Sequence, residues 1–201
     1  MRHEGQGWFR AGALSLCWGL LGLLGTAAMA APLVVQLRDR QGAPVTGAVV
    51  GLERTGEPKA AKPGTRAEMA QRDRQFDPRL LAVQTGTEVH FPNLDKVRHH
   101  VYSFSPTKPF ELKLYLGQAA PPVKFDKSGV VAMGCNIHDQ MSAAIVVLDT
   151  PHFAISDAQG RVRFEQGGQV LRAWHPKLAD AALLAQPAKP DGGTVEWVLP
   201  L

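Results

Sequence analysis

Beyond residue 30 the chain breaks into short apolar or alternating runs, spaced roughly ten residues apart, with Gly, Pro, Asn and Asp between them. Leu33-Val34-Val35-Gln36-Leu37 and Ala48-Val49-Val50-Gly51-Leu52 read as strands either side of the turn Asp39-Arg40-Gln41-Gly42. Leu80 to Val83 and Thr87 to Phe91 flank Thr85-Gly86, and His99 to Phe104 follows the polar turn Pro92 to Lys96. Further strands are predicted at Phe110 to Leu116, Val123 to Asp126, Val130 to Met133 and Ala143 to Leu148. The pattern then restarts at Phe153 to Ile155, Arg161 to Phe164, Gln169 to Trp174 and Thr194 to Leu199. Many short strands at this spacing predict an all-β protein built as a sandwich or barrel. Leu178 to Gln186 predicts one short helix, stopped by Pro187 and Pro190. No glycine pattern for nucleotide binding and no long amphipathic helix is present.

Two segments stand outside this pattern. Residues 1–30 have a positive start (Arg2, Arg10), an apolar stretch from Ala11 to Gly25 and the small-x-small triplet Ala28-Met29-Ala30. They predict a secretory signal peptide cut after Ala30, with no membrane span left after cleavage. The expected location is the periplasm. The stretch from Arg54 to Arg66 holds Gly56, Pro58, Lys59, Lys62, Pro63 and Gly64 with no apolar period, and residues 58–65 read as an exposed linker.

Removing the signal changes the composition in one respect that matters. The whole chain of 201 residues has 22 Lys and Arg against 18 Asp and Glu. Loss of Arg2, Arg10 and Glu4 leaves a net charge of +3, one below the +4 of the full chain. So mild an excess, with no basic run, argues against nucleic acid as a partner. Cys17 also goes, and Cys135 remains as the one thiol. In an oxidising compartment a lone thiol pairs, oxidises or is occupied, and metal ligation accounts for its presence.

Cys135 opens the run Cys135-Asn136-Ile137-His138-Asp139-Gln140-Met141, between the apolar runs Val130 to Met133 and Ala143 to Val147. A thiolate, an imidazole and a thioether at i, i+3 and i+6 form a soft donor set suited to copper. Two His, one Cys and a weak axial Met make a blue-copper site, so a second His is needed. His99 and His100, at a strand start after Asn93-x-Asp95, are the candidates. His90, in the alternating run Glu88 to Phe91, and His152 and His175, beside prolines, read as structural. Zinc is disfavoured because Met is a poor zinc ligand and structural zinc sites draw on several Cys or His. A Cys–His hydrolase would leave Met141 without a role.

Asn93-x-Asp95-x-x-x-His99-x-Val101 followed by Cys135-x-x-His138-x-x-Met141 resembles a cupredoxin. The two-residue gap between His138 and Met141 is similar to that of amicyanin. The run Met69 to Asn93, with Phe76-x-Pro78 and Gly86-Thr87-x-Val89-x-Phe91, resembles the N-terminal strands of plastocyanin-type domains. The resemblance spans residues 66–149 and implies a cupredoxin Greek-key β-sandwich. It also implies one copper ion held by His99, Cys135 and His138 with Met141 axial, or by His100 in place of His99. His100 stands where the family often has Asn, which bears on hydrogen bonding around the thiolate. The flanking segments 31–57 and 150–201 carry Asp39-x-x-Gly42-x-Pro44-Val45-x-Gly47, Ser156-Asp157-Ala158-x-Gly160-x-Val162 and Trp174-His175. They resemble a carboxypeptidase-regulatory-like, transthyretin-type β-sandwich, split by the inserted copper domain. The arrangement is similar to exported bacterial proteins labelled methylamine utilisation proteins.

The resemblance implies a non-enzymatic electron carrier. It would cycle one copper ion between Cu(I) and Cu(II) and exchange electrons with a redox partner such as a cytochrome or a dehydrogenase. A copper chaperone or store is the alternative. A lesser one is an adhesion or carbohydrate-binding sandwich with Trp174 and Trp197 as candidate aromatics and copper accessory.

Overall fold

The computed structural model describes residues 31–117 and 121–201. The predicted signal peptide, Cys17 included, lies outside them. In chain order the strands are β1 (Leu33–Arg38), β2 (Val49–Glu53), β3 (Arg66–Glu68), β4 (Ala70–Arg72), β5 (Gln75–Asp77) and β6 (Leu80–Gln84). Then follow β7 (Thr87–His90), β8 (His99–Ser103), β9 (Phe110–Tyr115), β10 (Val123–Phe125), β11 (Gly129–Cys135) and β12 (Ser142–Leu148). The last are β13 (Phe153–Ile155), β14 (Arg161–Phe164), β15 (Val170–Trp174), β16 (Leu184–Pro187) and β17 (Gly193–Val198). The protein is all-β, as its hydrophobic pattern predicts. The short helix expected over Leu178 to Gln186 does not form. Leu184 to Pro187 pairs instead with β15, Ala173 opposite Leu184 and Val170 opposite Pro187. Pairing with a strand edge and packing of Leu184 outweigh the weak helical tendency of that segment.

Four sheets stack face to face around three apolar layers. The outermost, β14-β1-β17, packs on β13-β2-β15-β16 through Leu33, Val35, Leu37, Val50, Leu52, Leu171 and Trp197. At the other end the five-stranded sheet β6-β12-β11-β8-β9 packs on β10-β7-β3 through Val89, Phe125, Val131, Met133, Ile145 and Val147. Between them, Val49, Phe153 and Trp174 meet Leu80, Val130, Val146 and Leu148. Strands β2 and β12 are therefore buried on both faces. Val49 and Val50 point to different layers, as do Val146 and Val147. This is why these strands are continuous apolar runs rather than alternating ones. Gly51 is small because a Cβ there would lie 3.0 Å from the Leu148 side chain. Trp174 and Trp197 are both buried, which removes them as surface aromatics.

Residues 58–65 are mostly exposed but pinned along their length: Gln84 Nε2 donates to the Pro58 carbonyl and the Glu88 N–H to the Thr65 carbonyl. Ala60 bridges Thr85, and the Ala61 N–H donates to the Thr85 carbonyl. No helix among the described residues is long and apolar enough to cross a membrane.

Candidate metal centre

The site lies at one end of the five-stranded sheet, where three chain segments meet. Strand β11 delivers Cys135 at its last residue, and the register Cys135–Val101 and Gly134–Tyr102 sets it beside the start of β8. Along β8 alternate side chains point inward, so His99, Val101 and Ser103 are buried while His100 and Tyr102 are half-buried on the other face. The pairing of β8 with β9 is irregular beside His99, where β9 carries an extra residue between Leu112 and Tyr115. Bulges of this kind occur where a sheet aims a functional side chain. The peptide before the cysteine is a glycine for a local reason: a Cβ on Gly134 would lie 2.8 Å from the Tyr102 ring.

After Cys135 the chain turns through Asn136 to Gln140 and re-enters the sheet at β12. The Met141 N–H donates to the His138 carbonyl at 2.8 Å and closes the turn. His138 is half-buried, while Met141 is buried in the same apolar layer as Cys135. Cys135 is a free, buried cysteine.

His99, Cys135 and His138 come together. Cys135 Sγ lies 3.8 Å from His99 Nδ1 and 3.9 Å from His138 Nδ1. Donor atoms of the three residues all fall within 4.8 Å of one another, and the two imidazole centroids are 4.9 Å apart. Nitrogen and sulfur bonds of roughly 2.0–2.3 Å meeting at about 120° place donors roughly 3.7 Å apart. The sulfur–nitrogen separations fit that spacing without movement of the sheet. Among the described residues this is the one such group of His, Cys and acidic side chains. It can hold a metal ion.

Searches of protein-family models and of curated proteins find no match to this chain. Solved structures do match, over half of the chain or less. A purple cupredoxin from Nitrosopumilus maritimus aligns at 20% identity and TM-score 0.37, covering 40% of this chain and 98% of its own. Amicyanin from Paracoccus versutus aligns at 14% identity and TM-score 0.37, covering 49% and 96%. A copper-containing nitrite reductase from Thermus scotoductus aligns at 24% identity and TM-score 0.39, covering 48% of this chain and 25% of its own. Scores this low transfer no residue role, so the donor cluster stands on its own distances.

His100 is placed away from this cluster. Its ring sits 5.8 Å from that of Tyr102, centroid to centroid. Its Nε2 contacts Glu111 Oε1 at 2.8 Å without hydrogen-bond alignment. The other histidines stand elsewhere. His175 Nε2–H donates to the Thr46 carbonyl while its Nδ1 accepts from the Lys177 N–H, both at 3.1 Å. His152 contacts Arg54 and Glu57, and His90 is half-buried in β7.

One residue beside the cluster carries a contact that spacing does not announce. His99 Nε2 lies 2.7 Å from Asp95 Oδ2. Burial pushes the Asp95 carboxyl up, but the Arg74 amide, His99 and the Asp73 amide outweigh it and hold it below its ordinary 3.8. As an ionised acceptor it receives a hydrogen bond from Nε2–H, so the lone pair of the neutral imidazole sits on Nδ1, facing the sulfur. Deeper in, Tyr115 O–H donates to the Phe91 carbonyl and accepts from Gln71 Nε2, both at 2.6 Å. Burial pushes that phenol up to about 12, and it stays neutral.

Proposed function

We propose that this chain is an exported copper protein that carries single electrons. Its ion would be held by His99, Cys135 and His138, with Met141 as the weak axial donor. The observation that carries the reading is the meeting of one buried thiol with two imidazole nitrogens at 3.8 and 3.9 Å. All three are held by strands or by a closed turn. Copper held by His99, Cys135 and His138 would supply a one-electron Cu(I)/Cu(II) couple. What the chain contributes is rigidity. His99 and Cys135 are fixed in a paired sheet, and the buried Met141 anchors the far end of the loop. Little reorganisation then accompanies gain or loss of an electron.

The loop also supplies an outlet. His138 is half-buried, and its neighbour Ile137 is 46% exposed. That edge is where a periplasmic redox partner, a cytochrome or a dehydrogenase, would exchange electrons. In this reading 66–149 is the copper unit, 58–65 a linker, and 31–57 with 150–201 a carboxypeptidase-regulatory-like scaffold that covers the outer face of β11 and β12. A copper chaperone is the second reading, and burial of Cys135 and Met141 counts against it.

The test is redox cycling of the copper-loaded mature protein. We expect one copper per chain, reduced and reoxidised reversibly by a mediator, with the ion retained in both states. Ready transfer of Cu(I) to a competing chelator of ordinary strength would favour a chaperone instead.

A further inference from the structure

We infer that Asp95 is a positioning residue for the metal centre, fixing His99 through Nε2 and tuning the donor strength of Nδ1. The inference deepens the copper reading above and rests on it. Asp95 is four residues before His99 in a loop, not a helix, so nothing in regular geometry brings them together. The contact is instead built by a separate piece of chain.

That piece is the hairpin β4–β5. Its two turn residues, Asp73 and Arg74, have φ of 52° and 58°. Both central residues of the turn are thus left-handed, a conformation unfavourable for non-glycine residues. The turn aims two backbone donors at one carboxylate. The Asp73 N–H donates to Asp95 Oδ1 at 2.7 Å, and the Arg74 N–H donates to Asp95 Oδ2 at 3.0 Å. Oδ2 also receives His99 Nε2–H.

The loop is stitched down on both sides. The Gln71 N–H donates to the Pro92 carbonyl, and the Leu94 N–H donates to the Gln71 carbonyl. Asn93 Oδ1 accepts the Asp95 N–H, and Asn93 Nδ2 donates to the Val97 and Tyr115 carbonyls. Every polar atom of the Asp95 side chain is therefore engaged, and the strained turn is offset by those bonds. The His99 side chain is fully buried and that of Asp95 is 13% exposed, which keeps the pair largely out of water and its interaction strong.

A carboxylate on the far nitrogen has two effects on a ligating imidazole. It locks tautomer and ring orientation, and it raises the basicity of the donor nitrogen. The second effect favours the higher charge of the ion, so Asp95 stabilises the oxidised site more than the reduced one.

The experiment compares full-length mature wild type with Asp95→Asn, both loaded with copper. Asparagine keeps the size and the acceptor oxygen but removes the charge. We expect Asp95→Asn to hold Cu(II) 10–100-fold more weakly. Cu(I) affinity should change less, and the reduction potential should rise. In the reduced protein the His99 Nε2–H proton should be strongly downfield and slow to exchange in wild type, and shifted upfield in Asp95→Asn. An unchanged potential and unchanged affinities overturn the proposal while leaving the copper site standing. Failure of wild type to take up copper overturns both. Should Asp95→Asn not fold, the wild-type spectrum decides: absence of a protected, downfield Nε2–H proton on His99 is sufficient to reject the role.

Discussion

At the scale of single residues, the candidate donor cluster was legible because few side chains can be soft donors. Cys135, His138 and Met141 share one loop, and their spacing is read directly. The choice between His99 and His100 needed the sheet, because adjacent strand residues face opposite ways and the sequence does not say which face is inward. Asp95 was visible in the sequence as part of Asn93-x-Asp95, but its contact to His99 was not. The same layer holds a second polar network whose loss should be measurable. Tyr115→Phe removes a donor to the Phe91 carbonyl and an acceptor for Gln71, leaving those two buried groups only the 3.1 Å bond from Gln71 Nε2 to the Phe91 carbonyl. We expect a cost of about 1–3 kcal/mol in denaturant unfolding. A change within error would mean that the remaining bond between Gln71 and the Phe91 carbonyl satisfies both groups.

Elements were readable according to their apolar content more than their length. Strands β1, β2, β6 to β15 and β17 fall where apolar or alternating runs predict them. The hairpin β4–β5 was missed as an element because its short strands are largely polar and its turn lacks the Asn-Gly or Asp-Gly signature. The segment over Leu178 to Gln186 was misread because propensity is a weak guide where a partner strand is available. The left-handed turn gives an element-scale prediction. Arg74→Gly keeps the N–H that reaches Asp95 and relieves the backbone conformation. It should raise stability by about 1 kcal/mol. A loss of stability would show that the Arg74 side chain contributes more than its backbone costs.

At the scale of the whole molecule, the continuous apolar runs of β2 and β12 showed that both faces are buried, but not what covers them. The structure supplies the answer in the layer of Val49, Phe153 and Trp174 against Val130, Val146 and Leu148. Because that layer joins the two sandwiches, unfolding should be one cooperative transition. Trp174→Ala should cost about 3–5 kcal/mol. Two well-separated transitions in wild type would contradict this coupling. The flanking segments also carry a pH response. Burial holds His175 below its ordinary 6.5, and it is bonded in its neutral form. The unfolded chain therefore binds a proton more readily than the folded one, so stability is full above about 6.5 and falls as pH drops below it. His175→Gln should flatten that part of the profile; an unchanged slope between pH 7 and 5 would assign the response to other groups.

The central claim, that Cys135 is a copper ligand between His99 and His138, is tested most directly by visible and EPR spectra. They should be recorded on the purified protein after Cu(II) loading and removal of excess metal. The account predicts an intense thiolate-to-copper band with narrow copper hyperfine splitting, both abolished in Cys135→Ser. A weak spectrum with ordinary wide splitting, or no copper retained, would contradict it.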